Sequence, residues 1–136
     1  GATIYTLSET ASDKEAAQLA ERENKADIIS GVDLSDETQE VTNILIDLAQ
    51  RETMNQAAKF AGILVPELLK VIKTHKRPHK FAGFAVLKAP DVPSILLEMG
   101  YLSNVNDERL LTQDVFVRKV AKSIKIGLDK YFESVQ

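Results

Sequence analysis

The apolar residues of this chain follow two rhythms. Ala2–Leu7 sets Thr3, Tyr5 and Leu7 against Ala2, Ile4 and Thr6, a β-rich alternation that predicts a short strand. From Ser12 the spacing turns helical. Ser12-Asp13-Lys14-Glu15 fits a capping box in which the Ser12 oxygen accepts the Glu15 amide while Glu15 reaches back. A helix is predicted from there to about Ile29, stopped near Gly31. Its stripe of Ala16, Leu19, Ala20 and Ala26 is made of small residues and forms a thin face. Glu23 lies three or four residues from Leu19, Ala20 and Ala26 and is expected on that face.

Gly31–Glu40 is polar and turn-rich, with Ser35 or Asp36 as the next cap. A long helical pattern follows through Val41, Ile44, Leu45, Leu48, Ala57, Ala58, Ala61, Leu64, Val65, Leu68 and Ile72. Pro66 removes one backbone hydrogen bond inside it and predicts a kink or break. The lysine-rich stretch 73–80 reads as a solvated loop leading into two strands, Phe81–Lys88 and Ser94–Tyr101. Only Ala89–Pro93 joins these strands, too short for a parallel crossover, so as neighbours they would be antiparallel. Asp107–Leu111 starts a short helix. Asp114 caps a last one, whose expected buried side is Val117, Val120, Ala121, Ile124, Leu128 and Tyr131 or Phe132.

Strand, helix, helix, strand, strand, helix is an α/β order, a partial mixed sheet flanked by amphipathic helices. Three strands are few for helices with such large apolar faces. The chain is therefore expected to be part of a larger domain whose N-terminal strands are absent.

At 136 residues, 44% apolar and 27% charged, the composition is that of an ordinary globular domain. A net charge of −3 argues against nucleic acid, which demands a basic face. No apolar run reaches the roughly 18 residues needed to span a bilayer. The chain contains no cysteine, which excludes disulfides, thiolate metal sites and a cysteine nucleophile. It opens without an initiator Met, directly in the strand-like segment, so no signal peptide is expected within it.

Candidate chemistry is sparse. His75 and His79 have the i,i+4 spacing of zinc ligands on a helix, but Pro78 lies between them and the setting is cationic, which argues against a preformed site. Glu98 is different. It sits in Ser94-Ile95-Leu96-Leu97-Glu98-Met99-Gly100-Tyr101, otherwise a buried strand, where an unpaired charge costs several kcal/mol. Two readings stand on the residues alone: a carboxylate at the strand end turned to solvent or to Lys88, or a functional acid.

The run Phe84–Glu98 (FAVLKAPDVPSILLE), followed by Gly100-Tyr101-Leu102-Ser103-Asn104, closely resembles the C-terminal part of the zinc-dependent N-acetylmuramoyl-L-alanine amidases of Gram-negative cell division. Gly1–Ser8, Leu19–Asn24, Ile29-Ser30-Gly31-Val32 and Asp107–Leu111 are similar to the same family, so the likeness runs along essentially all of residues 1–136. The resemblance implies a periplasmic enzyme that cuts the amide between N-acetylmuramic acid and L-alanine in peptidoglycan. In that family zinc polarises the carbonyl and acidifies its bound water. Glu98 matches the glutamate that carries the water proton to the departing amine. Burial among aliphatics would raise its pKa toward that task.

The family's zinc ligands are a His after the first strand, a Glu on the next helix and a His in a later strand. All three lie upstream of Gly1 and match neither His75 nor His79. The segment alone is thus expected to be inactive and to leave zinc to residues it lacks. The resemblance also marks 12–40 as a candidate regulatory insertion, a helix that covers the active site and autoinhibits the enzyme until a LytM-type activator displaces it. A small-residue face would undock easily. A carboxylate on that face could close the metal site, with Glu23 the first candidate by geometry and Glu21 and Glu15 the next. The alternative is a non-catalytic regulatory or interaction fragment that docks a partner through its helices.

Overall fold

The computed structural model describes residues 1–29 and 40–136, with no side chains described at 28–29 and 40–43. The expected stop near Gly31 and the caps at Ser35 or Asp36 lie outside the described residues, as do residues 30–39 of the expected insertion 12–40. The elements are β1 (Ala2–Leu7), α1 (Lys14–Ile29), α2 (Glu40–Leu69), β2 (Thr74–Ala82), a 3-10 turn (Ala85–Leu87), β3 (Leu96–Glu98), α3 (Val105–Leu111) and α4 (Asp114–Ser134). The fold is α/β with a mixed three-stranded sheet in the order β2-β1-β3.

β1 falls where the alternation puts it, but all six of its residues are buried. A central strand covered on both faces needs no polar side, and Thr3 and Thr6 are buried with the rest. The Ala2 amide donates to Lys73 O at 2.8 Å and the Ser8 amide to Ala82 O at 3.0 Å, so β1 and β2 run parallel.

The second strand differs from expectation. The lysine-rich stretch is no loop: it is β2 itself, and 85–87 is a 3-10 turn. His75, Lys76 and Arg77 are exposed on an edge strand, where charge is tolerated and discourages further pairing. Lys80 is buried and reaches Asp13 at 3.0 Å and Glu15 at 3.1 Å. Because β1 separates β2 from β3, the two strands are not neighbours and no hairpin forms.

α2 continues through Pro66 to Leu69. A proline in the last turn costs a single hydrogen bond near a helix end, so the helix is not broken.

The chain forms two compact units, residues 1–5, 59–79 and 97–136, and residues 6–58 and 80–96. In the first, Leu64 and Leu68 of α2 are fully buried, as are Ile4 and Val120. Gly127 of α4 lies so close to α2 that a Cβ there would stand 2.7 Å from Leu64 Cδ1. Phe60 and Tyr131 meet with ring centroids 5.4 Å apart. The buried face of α4 is Phe116, Val120, Ser123, Gly127 and Tyr131, so of the expected set Val117, Ala121 and Leu128 are exposed. The buried carboxylate of Glu67 accepts from Lys70 at 2.8 Å and also from Lys130, joining α2 to α4. Those hydrogen bonds, Lys130 first, hold it below its ordinary 4.5.

In the second unit Ala16 and Ala20 of α1 are buried, and Asn24 extends their line. The helix cap is Asp13, whose Oδ1 accepts the Ala16 amide at 2.8 Å. Ser12, expected in that role, instead accepts the Phe81 amide at 3.0 Å, and Glu15 turns to Lys80. At the other end Gln50 donates to Lys88 O at 3.0 Å and Thr53 to Pro90 O at 2.6 Å. Ile44, Leu45 and Leu48 of the α2 pattern are 61%, 64% and 59% exposed.

Candidate functional site

Glu98 is the last residue of β3. Leu96, Leu97 and Glu98 are all half-buried, so the deep aliphatic burial expected from the sequence is not found. What the structure supplies is a partner: the Tyr5 hydroxyl, from β1 alongside, donates to Glu98 Oε2 at 3.5 Å.

The backbone beyond Glu98 is fixed by a turn. Gly100 takes φ +155°, and a Cβ on it would stand 3.0 Å from Cβ, Cγ and Oδ2 of Asp107. The missing side chain lets Asp107 close over the turn. Its Oδ2 accepts the Tyr101 amide at 3.0 Å and the Gly1 nitrogen at 3.1 Å. The Tyr101 hydrogen bond holds Asp107 below its ordinary 3.8. Asn104 caps α3 by accepting the Asp107 amide at 3.0 Å, which sets Asp107 in place. One short chain of caps thus runs from the foot of α3 to the end of the strand that carries Glu98.

The other candidates lie apart from this geometry. His75 is exposed, its Nδ1 accepting the Arg77 amide at 3.3 Å, and His79 is half-buried with its pKa lowered by burial. Four residues along a strand separate them by roughly 13 Å, too far to share an ion. Among the described residues no group of three or more His, Cys, Asp or Glu is placed to hold a metal.

On α1, Glu15 pairs with Lys80 and Glu21 pairs with Lys25 at 3.1 Å. Ala16 and Ala20 of the expected face are buried and Leu19 is half-buried, whereas Glu23 and Ala26 are exposed, so the docked row is rotated at its C-terminal end. It runs Ala16, Ala20, Asn24 and Asp27. Asn24 donates to Gly83 O at 3.0 Å and accepts the Ala85 amide at 2.8 Å. Asp27 Oδ2 is buried with no hydrogen-bond partner among the described residues. Asn24 continues the i,i+4 row of Ala16 and Ala20, a signal hidden because Asn is not apolar.

Among the described residues, no helix is long and apolar enough to cross a membrane. The N-acetylmuramoyl-L-alanine amidase family model matches residues 1–130. The chain is 40% identical over 133 residues to the N-acetylmuramoyl-L-alanine amidase AmiC of Escherichia coli O6:H1, covering 97% of this chain and 32% of that protein. It is 36% identical over 133 residues to AmiA of Escherichia coli K12, covering 97% of this chain and 46% of the relative. To AmiC of Neisseria meningitidis it is 36% identical over 135 residues, or 98% of this chain and 32% of the relative. The chain thus spans between a third and a half of the length of these relatives. With 1–130 inside the family model, it belongs to the N-acetylmuramoyl-L-alanine amidase family.

Proposed function

We propose that this chain is the C-terminal part of a peptidoglycan amidase and carries its proton-transferring carboxylate. The bond cut is the amide between N-acetylmuramic acid and L-alanine. Glu98 takes the proton of the attacking water and delivers it to the departing L-alanine nitrogen, so one group serves both steps. The supporting observation is its placement: a half-buried carboxylate at a strand end, within the residues that the family model matches. Zinc, implied by the resemblance, would have to be held by residues outside this segment.

The same reading makes periplasmic peptidoglycan the substrate and gives the enzyme a role in cell division. It makes α1 a covering element released by a LytM-type activator. Small buried residues on α1 favour this, since little apolar area holds the helix down. Mass spectrometry of the material that the full-length protein releases from peptidoglycan tests the reaction. Stem peptides with a free L-alanine amine are expected, and cleaved glycan or cuts between amino acids would overturn it.

A further inference from the structure

We infer that Tyr5 is a positioning residue for Glu98, setting both its rotamer and its proton affinity. The inference rests on Glu98 being the proton carrier. Tyr5 is 3% exposed on a strand buried along its whole length. A phenol so placed must find a hydrogen-bond partner or lose a bond to water. Its hydroxyl is directed at Glu98 Oε2, 3.5 Å away across the β1–β3 pair.

The length of that bond bears on its role. At 3.5 Å it lies beyond the usual range for a hydroxyl donating to a carboxylate, so it steadies the side chain without capturing it. A carboxylate that must accept a proton and release it within one turnover cannot be held too strongly in its charged form. Donation to the charged form lowers proton affinity, and a weak donation lowers it slightly. The proton stays on the phenol oxygen throughout. Tyr5 is rigid because its strand is buried on both faces, whereas β3 has only three residues. The central strand thus aims the edge-strand carboxylate.

A core phenylalanine would fill the same space without the hydroxyl. Tyr5→Phe in the full-length protein therefore isolates the hydroxyl, with release of stem peptide followed against pH. The acidic limb of kcat/KM, where the base must be deprotonated, is expected to move up by roughly 0.2 to 0.5 pH unit, the low end for one hydrogen bond. Above the limb kcat falls severalfold and KM is unchanged. Incorporating 3-fluorotyrosine at position 5, a near-isostere with a more acidic phenol, is expected to move the limb the other way. This second variant keeps the test sharp if Tyr5→Phe fails to fold. Limbs that stay put in both variants, or in 3-fluorotyrosine alone where Tyr5→Phe does not fold, overturn the role of Tyr5. Glu98→Gln is the reference: inactivity there together with unmoved limbs rejects Tyr5 alone, whereas full activity rejects the Glu98 reading beneath it.

Discussion

Glu67 shows what one buried residue can contribute. Its carboxylate, at the end of α2, is enclosed by protein and answered by two ammonium groups, Lys130 and Lys70. Removing one partner of such a group leaves the other charge uncompensated. Both bonds favour the charged form, so its pKa in the folded chain lies below 4.5. The stability it adds is complete above that value and is lost as the pH falls through the lower folded value. Asp107 acts in the same direction below its ordinary 3.8. The urea midpoint of the chain is therefore expected to fall on acidification in two stages, first below about pH 6.5, where His79 resists protonation in the folded chain, and again below about pH 5, where Glu67 and Asp107 gain protons. Glu67→Gln is expected to lower the plateau and flatten the second fall. An unchanged second fall in that variant would show that the sensitivity lies elsewhere. Lys80 works at the other end of the scale: burial pushes its ammonium down, but Asp13 and Glu15 outweigh this and hold it above 10.5.

At the scale of elements, the strongest periodicities predicted type well and faces poorly. β1 was legible from its alternation, and α4 from its period. The face of α4 was not, because a glycine and a serine occupy the buried row. Gly127 is there for close approach to Leu64, and Ser123 turns its hydroxyl to Lys119 O at 3.1 Å. A hydrophobicity pattern counts neither. β2 was missed because its charges look like loop composition, and only the sheet order shows why an edge strand accepts them. Lys80 is buried there only because Asp13 and Glu15 arrive from a segment 65 residues away, which no local window sees.

α1 carries the element-scale prediction. Two buried alanines and the paired hydrogen bonds of Asn24 dock it beside the 3-10 turn. Asn24→Ala removes both bonds and strands the Gly83 carbonyl and Ala85 amide, a loss of about 1–2 kcal/mol. Amide exchange in α1 is expected to quicken by roughly 5- to 30-fold, with exchange in α4 unaffected. If α1 covers the site, basal hydrolysis of peptidoglycan rises in the same variant. Faster exchange with unchanged hydrolysis would remove the covering role and leave α1 a structural helix.

For the whole molecule, the candidate carboxylate was legible in the sequence and its surroundings were not. Glu98 stood out as a charge in an apolar run within the most distinctive stretch of the chain. Tyr5 did not, since a tyrosine in a β-rich strand looks like any core aromatic. Glu98 is half-buried rather than deeply buried because burial is a property of the assembled fold, and β3 is short and half-open. The exposed row Ile44, Leu45 and Leu48 is the counterpart: an apolar helix face with nothing among the described residues to show what covers it. The central claim is that one carboxylate carries the proton in amide hydrolysis. Its most direct test is stem-peptide release from peptidoglycan by the full-length Glu98→Gln protein, which keeps the shape of the side chain and removes its basicity. A fall of about a hundredfold or more in kcat, with the melting temperature unchanged, is the expected result. Release at the wild-type rate would contradict the account.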